Sequence, residues 1–359
     1  MTIRALFLTR YDESGPSSRV RSIQFSDELR KHGVEAFFSP LLSKSYLEHR
    51  FRGSIYWPEV VKGYAMRVWQ QLSQDSFDVY VVEKELFPWL PFWLERFFLP
   101  ARAKLLIDYD DAVFHSYDIG SFIKRTLFSG KIGRLMQSAR VVTVGNKCLA
   151  EYAEQWGCES VTLRSSVDCD RFHTSASEAQ VGFTIGWIGS PITAKFLQEI
   201  REPLQWASQH LGARVLLVGS GNVDLGECRA EVVPWSLDTE VPLLQSIDIG
   251  VMPLTDSPFE RGKCGYKLIQ YMACGKPVIA SPVGLNCEIV DSGVNGFLPK
   301  CADEWKAAFR TLFEDRQLAI RMGRAGRERV VKDYSVVATG AQLAQIIKNF
   351  DQKPVGHHY

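Results

Sequence analysis

The amino-acid sequence predicts an α/β protein made of two doubly wound domains in series. Short apolar runs of strand length alternate with longer amphipathic segments, which is typical of parallel strands joined by crossover helices. A polar stretch near residues 173–180 interrupts this alternation once, after which it restarts. The chain has 359 residues, 46% apolar and 23% charged, which suits two globular cores rather than a disordered or fibrous chain.

The predicted strands are short apolar runs, each followed by turn residues. In the first half they are Ile3–Leu8, Asp78–Val82, Lys104–Ile107 and Val141–Val144. In the second half they are Phe183–Ile188, Arg214–Val218, Glu231–Val233, Asp248–Met252 and Pro277–Ala280. Between them we predict helices such as Arg19–His32, which Gly33 would cap, and a final helical segment, Asp315–Phe350, with no strand after it.

This pattern sets the expected domain boundaries. Residues 1–172 form the N-terminal domain, 173–181 the linker and 182–335 the C-terminal domain. We expect the last segment, 336–359, to be a helix that packs back on the N-terminal domain.

Charge and cysteine content exclude several classes of protein. Forty-two Lys and Arg against 41 Asp and Glu give a net charge of +1, so we expect no nucleic-acid partner. The eight cysteines form no Cys-x-x-Cys pair and no Cys/His cluster with metal-ligand spacing, so we expect free thiols, a reducing compartment and no metal site. The N-terminal residues lack the apolar core of a signal peptide and no run of 18 apolar residues occurs, so a cytoplasmic protein is expected.

Common nucleotide and hydrolase motifs are missing. Gly219-Ser-Gly221 follows a predicted strand, but Asp224 stands where a dinucleotide fingerprint has its third glycine. There is no phosphate-binding loop ending in Gly-Lys-Ser/Thr, no Gly-x-Ser-x-Gly elbow and no His-Glu-x-x-His helix. Dehydrogenases, P-loop enzymes, serine hydrolases and zinc proteases are therefore not indicated.

The segment 261–280 combines glycines, cations and a helix. A loop with Gly262 and Gly265 opens a short helix, whose first free N–H groups favour a phosphate. One face of the helix carries two cations and an amide at i, i+4 and i+7: Lys263, Lys267 and Gln270. A solvated lysine face on an ordinary helix is the alternative that these residues leave open.

This segment resembles the signature of family-4 retaining glycosyltransferases, members of the group 1 superfamily with the GT-B fold. In that signature a glutamate, seven residues, a second glutamate and Ala-Met-Ala-x-Gly-x-Pro-Val line the nucleotide-sugar site. Aligned on Met272–Val278, the second glutamate falls on Gln270 and the first on Gly262. Both carboxylates are absent, and Glu260, two residues away, is a possible substitute.

The resemblance covers most of the chain and is stronger in the second half. Gly186–Lys195 takes the place of the family's strand and Gly-Arg-Leu-x3-Lys loop, with Gly189 and Lys195 in register and Ser190 replacing the arginine. Further collinear similarities are Leu217–Gly221, Leu244–Pro253, Ser281–Val290, Gly293–Phe297 and Met322–Arg327.

The resemblance implies a donor site in the second domain. Lys195 and Lys267 would act as catalytic residues, because cations stabilise the charge that develops on the leaving diphosphate. Gln270 would hold the ribose. The other donor-binding residues that we expect are Gly189, Ser190, Lys263, Gly265 and Tyr266.

The acceptor side is expected in the more divergent first half. Gly15 with Arg19 and Arg21 follows the first strand, where the family has a loop that faces the sugar diphosphate; ordinary surface arginines are the alternative. Asp110 and Asp111 follow a strand at the edge where open α/β sheets bind ligands. We expect Asp110 to act in catalysis and Asp111 to lie on the acceptor side, with helix capping or a metal as the alternatives.

One stretch suggests a membrane. Leu86–Pro100 holds six aromatic residues in fifteen positions, with Arg96, Arg102 and Lys104 nearby. This mixture suits peripheral contact with a membrane through residues 86–104, beside a lipid-linked acceptor, and equally a helix packed in the core, which is the interpretation that we favour.

The sequence thus predicts a two-domain glycosyltransferase. It would move a hexosyl or related unit from a nucleotide diphospho-sugar, UDP- or GDP-linked, to a glycan or lipid-linked acceptor hydroxyl, with retention and without a required cofactor. Polysaccharide or glycolipid biosynthesis is the expected context. The alternative is a catalytically degenerate GT-B protein that acts as a binding or scaffold subunit; a nucleotide-sugar epimerase is a third interpretation.

Overall fold

The computed structural model describes residues 2–73, 77–118, 122–174 and 182–351. These residues form two compact units, each with one six-stranded parallel sheet. The first unit contains the chain up to Ser165, Gly262–Cys264 and the residues from Val336 onward; the second contains Ser166–Arg261 and Gly265–Ser335. The predicted class, α/β with two doubly wound domains, is confirmed. Most of the predicted linker lies outside the described residues.

The first sheet has the strand order β2-β1-β3-β4-β5-β6. Its strands are β1 (Ile3–Tyr11), β2 (Val34–Leu42), β3 (Val79–Glu83), β4 (Leu105–Tyr109), β5 (Val141–Val144) and β6 (Ser160–Thr162). The direction in which strands are added reverses between β1 and β3. Ligands of such sheets bind at this reversal, beyond the carboxyl ends of the strands.

The second sheet has the order β12-β11-β10-β7-β8-β9, and its reversal lies between β7 and β10. Its strands are β7 (Thr184–Ile188), β8 (Arg214–Val218), β9 (Ala230–Val233), β10 (Ile249–Met252), β11 (Val278–Ala280) and β12 (Gly296–Phe297). The Tyr271 hydroxyl links β7 and β10, because it accepts from Ile188 N at 2.9 Å and donates to Val251 O at 3.3 Å.

Helices cover both sheets. Those that begin before residue 160 are α1 (Pro16–Arg21), α2 (Ser26–Lys31), α3 (Lys44–Phe51), α4 (Trp57–Leu72), α5 (Phe92–Glu95), α6 (His115–Asp118), α7 (Phe122–Phe128), α8 (Lys131–Ser138) and α9 (Lys147–Gln155). The later ones are α10 (Arg201–His210), α11 (Glu240–Gln245), α12 (Pro258–Arg261), α13 (Tyr266–Ala273), α14 (Asn286–Ile289), α15 (Ala302–Glu314), α16 (Arg316–Asp333) and α17 (Val336–Lys348). Short 3-10 turns occupy Ile23–Phe25, Arg96–Phe98, Arg102–Lys104, Ala194–Ile200 and Asn349–Asp351.

Two helix predictions are wrong in their extent. Arg19–His32 is not one helix, because Ser22 leaves helical geometry (φ −138°) and separates α1 from α2. Gly33 does end α2 as predicted, with φ +76°. The segment Asp315–Phe350 breaks into α16 and α17 at Ser335, whose backbone forms a bridge with Val167.

Helix α17 belongs to the first unit although it follows the second in sequence. Gly340 lies against Glu28, and an added Cβ there would come within 2.8 Å of Glu28 Cγ. Leu343 and Ile347 are buried in the same apolar core as Phe7 and Phe25. The second unit has its own core, centred on β7, β8, α10 and α15.

No helix among the described residues is both long and apolar enough to cross a membrane. All eight cysteines are free thiols.

Candidate functional site

The carboxyl edge of the second sheet is bare backbone at its centre. Gly189 follows β7, and a Cβ there would lie 2.6 Å from the Trp187 ring and 2.8 Å from Lys267 Cε. Gly219 follows β8 in the left-handed region (φ +76°), and a Cβ there would come 2.5 Å from Gly189 O. Neither position accepts a side chain without movement, so backbone groups line the carboxyl ends of the neighbouring strands β7 and β8.

Lys267 extends over this bare edge. It lies in the first turn of α13, which begins after Gly265 in the left-handed conformation (φ +63°) and has the half-buried Tyr266 as its first residue. Its Cε packs near Gly189, and its Nζ lies 5.4 Å from the centroid of the Trp187 ring. A cation is thus held beside the glycine that follows β7.

Gln270 lies one turn further along α13 and meets a carboxylate that the sequence did not reveal. Its Nε2 donates to Glu240 Oε1 at 2.9 Å, and both side chains are buried. Glu240 also accepts from Trp235 Nε1 at 3.1 Å and from Arg171 Nη2 at 2.7 Å. A buried carboxylate therefore lies next to the position where the motif lacks one, supplied by the start of α11.

Ser190 and Lys195 lie close together in sequence beyond β7. Ser190 is half-buried, and its carbonyl accepts from the Thr193 hydroxyl at 3.0 Å in the turn that leads to Ala194–Ile200. Lys195 is exposed, with Nζ 4.9 Å from the Phe196 ring centroid. Lys195, Lys267, Gly189, Ser190, Gly265, Tyr266 and Gln270 all belong to the second unit.

Lys263 belongs to the first unit, because Gly262–Cys264 is part of it. There Gly262 O accepts from Asn146 Nδ2 at 2.7 Å, and a Cβ on Gly262 would lie 2.5 Å from Ala112 Cβ. A glutamate at position 262 would collide with Ala112, which explains the missing first carboxylate in physical terms. Glu260 is buried and accepts from the Ser257 hydroxyl.

The first unit has its own polar cluster at the reversal between β1 and β3, centred on Lys84. This residue directly follows β3, is 5% exposed and has φ +62°, which is rare for a side chain other than glycine. Its Nζ lies 2.7 Å from Asp110 Oδ1 and 3.4 Å from Asp111 Oδ2, and donates to Ser17 Oγ at 3.0 Å. Lys84 was not predicted; the signal was the charged run at residues 83–85 after a buried strand.

The two aspartates differ in exposure and in proton affinity. Burial alone would raise the pKa of Asp110, but Lys84 and Arg21 outweigh it and hold that pKa below its usual value. Asp110 Oδ2 also accepts from Ser17 Oγ at 2.9 Å. For Asp111, burial and the negative charge of Asp110 outweigh the opposing charge of Lys84, so the pKa of Asp111 lies above its usual value. The side chain of Asp111 is 36% exposed, against 14% for Asp110.

Glu83 adds a third carboxylate to this edge. Its Oε2 accepts from Arg10 N at 2.9 Å and from Ser18 Oγ at 2.5 Å. Its Oε1 is buried without a hydrogen-bond partner among the residues that the structure describes. A buried carboxylate oxygen in that condition is an open acceptor for a hydroxyl or N–H group.

The two arginines predicted on the acceptor side have different surroundings. Arg21 is 2% exposed and forms a bidentate ion pair with Asp108, at 2.8 and 2.5 Å, so its guanidinium is used within the core. Arg19 is half-buried and donates to Glu13 O at 3.1 Å. Gly15 is required by the Tyr11 side chain, which a Cβ there would strike.

The aromatic stretch 86–104 is divided between core and surface. Leu86 and Phe87 are buried, whereas Trp89, Trp93 and Phe97 are exposed. Among the described residues, no group of three or more His, Cys, Asp or Glu side chains could hold a metal ion.

Comparison with known proteins places this geometry in context. Residues 183–315 match the family model described as "Glycosyl transferases group 1". Sucrose-phosphate synthase from Thermosynechococcus elongatus is similar in structure, with a TM-score of 0.68, 17% identity, and 97% of this chain and 99% of that chain covered. No curated protein sequence matches the chain.

Two further solved structures show the same fold. Anabaena HepE in complex with UDP-glucose has a TM-score of 0.67 at 16% identity, covering 97% of this chain and 100% of that chain. WaaG, a glycosyltransferase involved in lipopolysaccharide biosynthesis, has a TM-score of 0.66 at 14% identity, covering 96% of this chain and 99% of that chain.

Proposed function

We propose that this chain, which has the GT-B fold and whose resemblance to group 1 glycosyltransferases is confirmed over residues 183–315, transfers a sugar from a nucleotide diphospho-sugar to an acceptor hydroxyl. The observation that carries the proposal is the carboxyl edge of the second sheet, where Lys267 lies over the bare backbone of Gly189. Such an edge lets a phosphate approach backbone groups closely while a cation balances its charge.

Lys267 and Lys195 are the proposed catalytic cations of the second unit. As the glycosidic bond breaks, negative charge builds on the leaving diphosphate, and positioned cations stabilise that charge. Backbone groups at Gly189, Ser190 and Gly265, with the side chain of Tyr266, would complete the donor site. Lys263 remains a proposed donor contact from the sequence motif alone.

Glu240 and Gln270 together would replace the missing motif carboxylates. Gln270 donates to Glu240 and keeps an amide oxygen that can accept from a sugar or ribose hydroxyl. Arg171 and Trp235 hold the Glu240 carboxylate in place. The pair is an inference from this network, because the family signature has no counterpart of Glu240.

On the acceptor side we assign the hydroxyl contact to Asp111 and give Asp110 and Lys84 positioning roles. Asp110 is tied to Lys84 and Ser17, whereas Asp111 is more exposed. A carboxylate with a raised pKa accepts a proton or hydrogen bond from a hydroxyl more readily. Arg19 and Gly15 stay proposed acceptor-side residues; the guanidinium of Arg21 is already engaged by Asp108.

A UDP-linked donor, retention at the anomeric carbon and a glycan or lipid-linked acceptor are the finer parts of the proposal. The UDP-glucose complex of HepE supports the UDP-linked donor by analogy, and the role of WaaG in lipopolysaccharide biosynthesis supports the glycan or lipid-linked acceptor. Retention is proposed from the family resemblance alone. A cytoplasmic location, hexosyl transfer, independence from metal and the boundaries at residues 172 and 182 also remain proposals.

Product analysis tests this function. The purified chain is incubated with UDP- and GDP-sugars and with glycan or lipid-linked acceptors, and products are followed by mass spectrometry and by the anomeric proton in NMR spectra. A retained glycoside supports the proposal. Free donor isomer without acceptor would indicate an epimerase instead.

A binding or scaffold subunit is the second candidate, because position 262 is glycine and the amide of Gln270 is bonded to Glu240. Nucleotide-sugar binding without turnover on any acceptor would favour it. Transfer that disappears in Lys267→Ala would exclude it.

A further inference from the structure

Helix α4 exposes a row of large apolar side chains, which is the reverse of what a surface helix normally shows. The exposed residues are 60% to 74% accessible: Trp57, Val61, Met66, Trp69 and Leu72. A group of exposed aromatic and aliphatic side chains of this size on one element marks an interaction surface.

The orientation of α4 is fixed by its inner face, so the exposure is not an accident of a loosely attached helix. Gly63 lies against Leu41 O, which a Cβ would strike. Arg67, only 2% exposed, donates to Thr9 O at 2.8 Å and to Ser39 O at 2.7 Å. Burial lowers the pKa of Arg67 to about 10. Rotating α4 to bury its apolar side would therefore replace Gly63 by a larger residue next to Leu41 O and would break the buried hydrogen bonds of Arg67.

A second exposed apolar group lies beside α4. The centroid of the Tyr64 ring of α4 lies 5.1 Å from that of Phe87, with the rings tilted by 48°, and the Tyr64 hydroxyl donates to Pro88 O. Helix α4 also contacts the turn Arg96–Phe98. Trp89, Trp93 and Phe97 are exposed on this neighbouring segment. We call α4 and these three residues the aromatic surface.

The charge around the aromatic surface is strongly biased, although the whole chain carries only +1. In the described part of the segment 44–104, which contains the aromatic surface, seven exposed side chains are Lys or Arg and two are Asp or Glu. Lys62 lies on the exposed side of α4, and the Arg96 guanidinium lies 5.1 Å from the Phe97 ring centroid. Apolar side chains and cations are therefore interleaved on one surface.

We propose that the aromatic surface docks on an anionic lipid membrane. Tryptophan is favoured at the membrane interface, because its ring is apolar and its N–H is polar; Trp57 and Trp69 lie near opposite ends of α4. The 16 residues of α4 form a rod about 24 Å long that can lie flat in the interfacial layer. Exposed Lys and Arg side chains add attraction to anionic headgroups.

The charge bias favours a bilayer over a second copy of this chain. A second copy would bring a surface of the same positive sign, and like charges would oppose the contact. An anionic phospholipid surface supplies an apolar layer for the exposed apolar side chains and negative charge for the exposed Lys and Arg side chains.

Vesicle flotation tests the proposal without donor or acceptor, so its outcome is separate from that of the proposed glycosyl transfer. The probes are vesicles of phosphatidylcholine alone and of phosphatidylcholine with phosphatidylglycerol. The variant is the triple substitution Met66→Ser, Trp69→Ser and Leu72→Ser, and the matched control is Ile320→Ser, Val331→Ser and Val337→Ser, three exposed apolar residues elsewhere. Thermal unfolding checks that both variants fold.

We expect the native chain to float with the anionic vesicles, more weakly at high salt and with neutral vesicles. The α4 variant should lower the partition coefficient about tenfold or more, because each lost apolar side chain removes interfacial burial, and the control should not. Failure of the native chain to float, or equal flotation of the α4 variant, would overturn the proposal. So would a lipid-free dimer that the α4 substitutions dissociate, which would assign the surface to a second copy.

Discussion

Gln270 and Glu240 form a donor–acceptor pair whose two members cannot both be carboxylates. Replacing Gln270 by Glu, the residue of the family signature, would put two buried carboxylates in contact. We expect Gln270→Glu to lower the free energy of unfolding by about 3 kcal/mol and to weaken donor binding, because one uncompensated charge is buried. Urea unfolding and donor titration measure both effects.

The exchanged pair supplies the control. Gln270→Glu with Glu240→Gln restores an amide opposite a carboxylate and should recover most of the lost stability. If Gln270→Glu alone is as stable as the native chain, the hydrogen bond at 2.9 Å does not carry the role assigned to it.

Asp111 gives the acceptor side a pH signature. Its ionised form is the one that accepts from a hydroxyl, and its pKa is raised, so kcat/KM should fall as pH drops through a value above the usual carboxyl pKa. Asp111→Asn should lower kcat/KM by about a hundredfold and abolish that acid limb. The measurement is a pH profile of initial rates.

Lys84→Met should move the same acid limb to higher pH, because the cation that favours ionised Asp111 is removed. Asp303→Asn, at a fully solvated position, is the matched control and should leave the profile unchanged. An unchanged limb in Asp111→Asn would remove Asp111 from the acceptor site.

The residues that the sequence could reveal are those whose meaning is local. Gly189, Gly265 and Lys267 stand next to a strand end or a helix start, so their spacing indicates a phosphate-facing edge. The roles of Lys84 and Glu240 depend on partners that are distant in sequence. Lys84 pairs with Asp110, 26 residues away, and Glu240 with Gln270, 30 residues away. Tertiary pairing of this kind leaves no periodic trace.

Helix α8 carries a buried lysine that forms ion pairs with two carboxylates in the first unit. Lys131 is buried, with Nζ 2.6 Å from Glu85 Oε2 and 2.8 Å from Glu95 Oε2. Glu95 also accepts from Leu86 N and Phe87 N, so it organises the start of the aromatic stretch. Burial raises the pKa of Glu95 to about 7, against the charge of Lys131.

Lys131→Met should destabilise the first unit by about 3–5 kcal/mol at neutral pH, because two buried carboxylates lose their counter-ion. The folded pKa of Glu95 lies above the unfolded value, so protonation relieves this cost and the loss should shrink as pH falls from about 7 toward 4.5. Urea unfolding at both ends of that range measures the difference.

Lys147→Met is the control for the loss of a lysine, since Lys147 forms an exposed ion pair with Glu151 at 3.8 Å. It should change stability little at either pH. If Lys131→Met is as stable as this control, the ion pairs of Lys131 with Glu85 and Glu95 do not stabilise the first unit.

At the scale of elements, the buried strands were predicted, whereas of the edge strands β2, β6, β9 and β12 only β9 was. The predicted strands Val141–Val144 and Arg214–Val218 match β5 and β8 in both limits. Strand β2 was not predicted, because it is only half-buried and contains Pro40, and because its extended conformation depends on pairing with β1. The exposed apolar side of α4 escaped for a related reason: the sequence cannot tell which face of a helix is covered.

The molecule as a whole repeats one design principle, a parallel sheet whose strand order reverses at its centre. Each unit places glycines and charged side chains at the carboxyl side of that reversal. The net charge of +1 hides this local arrangement, in which Lys267 lies beside Gly189 in one unit and carboxylates surround Lys84 in the other. The pattern of apolar runs therefore predicted the fold class, whereas the net charge did not predict the polarity of either site.

Thermal unfolding against a panel of nucleotides tests the central claim, that the second unit binds a nucleotide diphospho-sugar. UDP, GDP, ADP, CMP and their common sugar conjugates are compared with and without magnesium. A ligand at a hundredfold its dissociation constant stabilises by about 2.7 kcal/mol, enough to move the midpoint by several degrees. Lys267→Ala is the site variant, and Lys332→Ala, at an exposed position of α16, is its control.

We expect a selective rise in the midpoint with one nucleotide, UDP first among them, that Lys267→Ala reduces and Lys332→Ala retains. No rise with any nucleotide or conjugate, or an equal rise in Lys267→Ala, would contradict the account of the second unit as the donor site.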